Sequence, residues 1–192
     1  LKTVTLEPAP ERGGPPEPAA LPVEIDDDRF AIRPDDEVLL IVEDDVATAR
    51  IMLDLARRAG FRALVATQGR LALALARKYM PHAITLDLCL PDMDGWAVFD
   101  LLKNDPSTRH IPIHIISVEE QHERGLSQGA FGYLVKPTTG ELLSAGLERM
   151  KAYIERPVKS LLVVEDNEVQ RKAISELLGG DDVAMTLAAT GA

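Results

Sequence analysis

Four stretches of this sequence set reactive side chains directly after apolar runs. Glu43, Asp44 and Asp45 follow LLIV. Asp87 follows AITL and opens DLCLPDMDG, Ser117 follows HII, and Lys136–Pro137 follow YLV. Carboxylates gathered in one place repel one another unless a cation sits among them. Oxygen donors of this kind suit Mg²⁺, with Mn²⁺ as a substitute, because such ions keep several waters and accept phosphate oxygens. A lysine and a hydroxyl beside the ion would complete a site for a phosphoryl group, whose equatorial oxygens need positive charge and donors. Asp87, already ionised, would then be the nucleophile. Each piece alone is weak, since an acidic cluster at a strand end is commonly a solvated loop or a helix cap. Their conjunction points to phosphoryl chemistry.

The segments that must position these residues alternate in texture. Val38–Val42, Ala63–Thr67, Ala83–Leu86, Ile111–Ile116 and Phe131–Val135 are short apolar runs of buried-strand type. Between them lie helical patterns. Ala47–Ala59 places Ile51, Leu55 and Ala59 on one face, and Leu71, Leu75 and Tyr79 mark a second helix. Trp96, Phe99 and Leu102 mark a third, Glu119–Ser127 is a short polar fourth, and Thr139–Ile154 is the last, with Leu142, Leu143, Leu147 and Met150 turned inward. Five strand–helix units predict a parallel sheet covered on both faces, with working residues beyond the carboxyl ends of its strands.

The rest of the chain narrows the function class. Its 192 residues carry a net charge of −10 and no basic stripe, which argues against direct nucleic-acid contact. No apolar run is long enough for a membrane span, so no membrane contact is expected of this segment. The single cysteine, Cys89, forbids an internal disulfide and fits a cytoplasmic setting. Residues 9–35 hold Pro10, Pro15, Pro16, Pro18, Pro22 and Pro34 with the acidic run Asp26–Asp28, and read as a Pro-rich acidic linker. A repeat follows the main unit: LIVEDDV at Leu40–Val46 returns as LVVEDNE at Leu162–Glu168, with a helical pattern and an apolar run, Val183–Leu187, after it. None of His82, His110, His114 and His122 lies in a phosphodonor-like motif.

The motifs IVEDD (Ile41–Asp45), DLCLPDMDG (Asp87–Gly95), IIS (Ile115–Ser117) and YLVKP (Tyr133–Pro137) together resemble the receiver domain of bacterial response regulators. That resemblance implies a doubly wound (βα)5 flavodoxin-like fold with strand order 2-1-3-4-5. It implies residues 36–156 as a complete receiver that catalyses its own phosphorylation and dephosphorylation. Asp87 would be the phosphoacceptor, fed by a phosphohistidine of a kinase or phosphotransfer domain. Glu43, Asp44, Asp87 and the backbone carbonyl of Cys89 would hold Mg²⁺. Ser117 and Lys136 would bind phosphoryl oxygens, and Ser117 and Tyr133 would form the switch. Three features depart from the family pattern: Glu43 stands where Asp is commoner in the first acidic position, Val118 follows the hydroxyl residue where Ala or Gly is usual, and Gly125 interrupts the fourth helix.

Residues 157–192 resemble the truncated start of a second receiver with Glu165 and Asp166 as its acidic pair, and residues 1–8 resemble the end of a histidine-kinase ATPase domain. Together with the opening Leu1 they imply a fragment of a hybrid histidine kinase, one whose parent is free to be membrane-anchored and to form a homodimer. Two other classes are weighed beside this one. A degenerate receiver serving only for binding conflicts with the filled acidic, acceptor, hydroxyl and lysine positions. A dehalogenase-like aspartyl-phosphate hydrolase needs a DxD pattern on the first strand, which Glu43-Asp44-Asp45 does not provide.

Overall fold

Val38–Val42 form strand β1, and all five of its residues are buried. Such a run needs cover on both sides, and the chain supplies it. The computed structural model describes residues 25–156, 159–180 and 183–190. Strands β2 (Arg62–Ala66), β3 (Ala83–Leu86), β4 (Ile113–Ser117) and β5 (Gly132–Val135) join β1 in one parallel sheet of order β2-β1-β3-β4-β5. Helices α1 (Val46–Arg58), α2 (Gly69–Tyr79), α3 (Gly95–Asn104), α4 (His122–Ser127) and α5 (Gly140–Ile154) connect and follow them. The fold is the one expected, down to its strand order.

Alternation along the strands divides the core in two. Leu40, Val42, Leu64, Ile84, Leu86, Ile113 and Ile115 pack with Ala72, Leu75, Trp96, Phe99 and Leu102 of α2 and α3. Leu39, Ile41, Ala63, Val65 and Ile116 pack with Ala49, Met52, Leu53 and Ala56 of α1 and with Leu143, Leu147 and Met150 of α5. Two expected helix faces need correction. Ile51 is 56% exposed and Leu142 is 52% exposed, so neither points inward. The fourth strand starts at Ile113, two residues late, because Pro112 has no N–H to give a ladder. The fourth helix begins only at His122.

The largest correction concerns the expected linker. Its first part, like residues 1–8, lies outside the described residues, but Ile25 through Ala31 form a strap along the outer edge of β2. Ile25, Asp27 and Asp28 are buried. The N–H of Ala63 donates to the Asp28 carboxylate and that of Val65 to the Asp27 carboxylate, both at 2.9 Å. The Asp28 N–H returns a bond to the Ala63 carbonyl, and Arg29 gives one to the Val65 carbonyl. Arg29 pairs with Asp27 at 2.7 Å and Arg57 of α1 with Asp28 at 2.9 Å, so the two buried charges are met. Composition marked this run as an acidic linker, but its Asp27 and Asp28 satisfy a sheet edge.

After Arg156, β6 (Lys159–Val164), α6 (Glu168–Leu178) and β7 (Val183–Ala188) form a second, two-stranded parallel sheet with its helix. The repeat seen in the sequence is also one of geometry. Leu39 pairs with Ala63 in the first sheet and Leu161 with Met185 in the second. Asp45 caps α1 and Asn167 caps α6 by accepting first-turn N–H groups.

Candidate functional site

The carboxyl ends of β1, β3, β4 and β5 bring Glu43, Asp87, Ser117 and Lys136 to one rim. The N–H of Glu43 is held by the Ala66 carbonyl and that of Asp87 by the Val42 carbonyl, so both continue the sheet ladder by one residue. Glu43, Asp87 and Ser117 are buried, at 1%, 5% and 0% exposure, whereas Asp44 is exposed. Lys136 reaches across the rim, with its ammonium 2.6 Å from Asp87 Oδ2 and 2.7 Å from Glu43 Oε2.

This geometry sets the charges. Burial pushes the Glu43 carboxyl above its ordinary range, the Lys136 ammonium pulls it back, and the negative charge of Asp87 adds to the upward push. Burial works against the Lys136 charge, but its hydrogen bonds to Asp87 and Glu43 win and hold it above the usual lysine value. One ammonium therefore faces two buried carboxylates. Among the described residues, Glu43, Asp44 and Asp87 form the group able to share an ion, with ligand oxygens all within 4.8 Å of one another. An oxygen-only set on which one member is strained by burial fits a small divalent cation.

The remaining expected residues take distinct places. The Cys89 N–H donates to Asp87 Oδ1 at 3.0 Å, which fixes one acceptor oxygen. The Cys89 thiol is exposed, and burial around it and the Asp87 charge raise its pKa, so it stays a thiol. The Ser117 hydroxyl oxygen accepts from the Glu119 N–H at 3.3 Å, and the Tyr133 hydroxyl donates to the Glu119 carbonyl at 2.5 Å. The Glu119 peptide is thus held from both sides, linking the tyrosine to the serine. Val118 is 61% exposed. Asp45 is drawn off to cap α1 through the Thr48 N–H, which lowers its pKa, and Asp94 caps α3 through the Trp96 N–H.

Sequence reasoning missed two participants. Gly125 is the buried residue of α4, and a Cβ there would stand 2.7 Å from Cδ2 of Tyr133, so the apparent interruption of the helix is what seats the ring. Asp92 leaves the acidic crowd altogether, accepting from the N–H groups of Gly69 and Arg70. In the second unit Glu165 repeats the Glu43 pattern: its N–H meets the Ala188 carbonyl and its side chain accepts from the Asn167 N–H. Asp166 follows it as Asp44 follows Glu43.

Comparison with known proteins agrees with this geometry. A family model for the response regulator receiver domain matches residues 39–148. The chain is 30% identical over 170 residues to the response regulator PleD of Caulobacter vibrioides, covering 73% of this chain but only 37% of PleD. It is 30% identical over 119 residues to the polar-differentiation response regulator DivK of Brucella anthropi, covering 60% of this chain and 94% of DivK. Among solved structures it is similar to the receiver domain of sensor histidine kinase PA1611 from Pseudomonas aeruginosa, whose active-site cleft coordinates a magnesium ion. That match has 26% identity and a TM-score of 0.55, over 61% of this chain and 98% of that one.

Proposed function

This chain belongs to the response regulator receiver domain family, and from that premise we propose that Asp87 is its phosphoacceptor, charged by a phosphohistidine. The observation that carries the assignment is the Lys136 ammonium held between Asp87 and Glu43. It places a fixed positive charge beside one aspartate of the rim, while Asp45, Asp92 and Asp94 are committed to helix N-termini. An Asp87 oxygen attacks phosphorus, the P–N bond to the donor imidazole breaks, and its electron pair leaves with that ring, which takes up a proton. An ionised carboxylate needs no general base, so positioning is the main requirement. Lys136 and the Ser117 hydroxyl meet the phosphoryl oxygens. Glu43, Asp44, Asp87 and the Cys89 carbonyl would hold Mg²⁺ or Mn²⁺, which when bound would add to the neutralisation of phosphoryl charge. Tyr133, seated against Gly125 and bonded to Glu119, reports the state of Ser117 to α4.

Acetyl phosphate with Mg²⁺, followed by mass spectrometry, tests the assignment. Wild type gains one phosphoryl mass that maps to Asp87, and Asp87→Asn gains none. Modification of the Asn variant at the wild-type level would overturn it.

The wider setting is part of the same reading. Residues 1–8 as the end of a kinase ATPase domain, residues 36–156 as the receiver and 157–192 as the start of another together support a hybrid histidine kinase acting at the cytoplasmic side. The similarity to a domain from a sensor histidine kinase supports it too. Among the described residues no helix is long and apolar enough to cross a membrane. A gene whose upstream sequence encodes no ATP-binding domain would refute this setting.

A further inference from the structure

Helix α2 lacks a cap of its own. Gln68 occupies the cap position in extended backbone, and its side chain makes no capping bond. The first-turn N–H groups of Gly69 and Arg70 instead donate to Asp92, at 2.7 Å to Oδ1 and 3.0 Å to Oδ2. Asp92 belongs to the loop that joins Asp87 to α3. A carboxylate is well suited to this place, because it meets both unpaired donors and the positive end of the helix dipole. These two bonds outweigh the partial burial of Asp92 and hold it below the usual carboxylate range.

A second observation concerns packing. A Cβ on Gly69 would stand 2.5 Å from Cγ of Met93 and 2.7 Å from Cγ2 of Val98, so the loop and α3 lie directly on the first turn of α2. The loop is also closed on itself. The Gly95 N–H donates to the Leu88 carbonyl at 3.0 Å, and a Cβ on Gly95 would lie 2.3 Å from Cα of Leu88. Cys89 in turn donates its N–H to Asp87. The backbone from Asp87 to Gly95 is therefore tied down at its acceptor end, at the start of α3, and at α2. Asp92 makes the last of these ties.

We propose that Asp92 is a positioning residue for the acceptor site: by capping α2 from the acceptor loop, it fixes the Leu88–Cys89 backbone and so sets cation affinity and the phosphorylation rate of Asp87. This rests on the reading of Asp87 and its carboxylate cluster given above. The competing role is purely structural, in which Asp92 stabilises α2 and nothing more. The two roles separate because α2 can be given a cap of its own. Gln68→Ser places a hydroxyl at a position already in the backbone conformation a cap requires.

The experiment uses the full 192-residue chain. Mn²⁺ binding is read from the electron paramagnetic resonance of the free ion, the acetyl-phosphate rate by mass spectrometry, and stability by thermal unfolding. Asp92→Ala should weaken Mn²⁺ binding about tenfold, as loss of a group supporting a metal's ligands commonly does, and should slow phosphorylation. Adding Gln68→Ser should restore the melting temperature while Mn²⁺ affinity stays low. Affinity unchanged in Asp92→Ala, or returning together with the melting temperature in the double variant, would overturn the proposal. If Asp92→Ala does not fold, Asp92→Asn, which keeps one acceptor oxygen, takes its place. Weakened binding at an unchanged melting temperature then supports the proposal, and unchanged binding overturns it. A wild-type chain that binds no Mn²⁺ at all would instead bring down the reading of the site itself.

Discussion

Lys136 joins two buried carboxylates that would otherwise repel, and the third carboxylate, Asp44, stands in solvent beside them. Removing Asp44 strands no buried group, so Asp44→Ala should abolish Mn²⁺ binding and leave the melting temperature near wild type. Retained affinity would remove Asp44 from the ligand set. His114 is a different case. It lies on β4 with 2% exposure, in a slot made by Gly132 and Gly146, where a Cβ on either glycine would come within 2.6 Å of its ring. Among the described residues its Nε2 is buried without a partner, and burial, helped by Arg149, lowers its pKa to about 4. A depressed folded-state pKa means the unfolded chain takes the proton first. Stability from this group is full above about pH 6.5 and is lost as pH falls toward about 4, roughly 2 kcal/mol of it between pH 7 and pH 5. Urea titration at those two pH values should show that loss in wild type and a smaller one in His114→Leu. Equal losses would mean that His114 is not the source. The sequence made the site legible because each reactive residue directly follows an apolar run. It left His114 as an ordinary histidine, because nothing local reveals that glycines on β5 and α5 frame it.

Helix α4 shows how an element can be misread from its own residues. Its Gly125 looked like an interruption, but its buried contact is with Tyr133 of β5, and neighbouring Arg124 stacks over Trp96 of α3 at 4.0 Å. Gly125→Ala should force the ring outward or lift the helix, at about 1–3 kcal/mol as for other overpacked sites. Loss of the Tyr133–Glu119 bond should raise amide exchange across 119–127, and unchanged exchange would count against this seating. Periodicity located the helices well but misassigned parts of two faces. In α1 the eye falls on Ile51, which is exposed, whereas the helix approaches the sheet through Ala49, Met52, Leu53 and Ala56, with Leu55 half-buried against the same core. Small residues permit the close approach, and a pattern weighted toward large side chains overlooks them.

At the scale of the whole molecule, the strap Ile25–Ala31 shifts the start of the folded unit well ahead of Asp36. The sequence concealed this because proline content and an acidic run carry the signature of a solvated linker, while the strand N–H groups that Asp27 and Asp28 accept from lie more than thirty positions away, at Val65 and Ala63. Asp28→Ala leaves the buried N–H of Ala63 unpaired and should cost about 1–3 kcal/mol in thermal unfolding. A change within error would show the strap to be a loose attachment. A further consequence concerns solubility. An outer strand with open N–H and C=O groups is a template for another chain, and proteins commonly blunt such edges with charge or cover. Here the cover is the strap, and it is charged. A chain begun at Asp36 would offer Ala63 and Val65 to any extended segment it met, and should form growing aggregates visible by light scattering as concentration rises. The acidic residues ahead of the receiver would then act as a guard against self-templated polymerisation, a role that needs no contact with the phosphoacceptor rim.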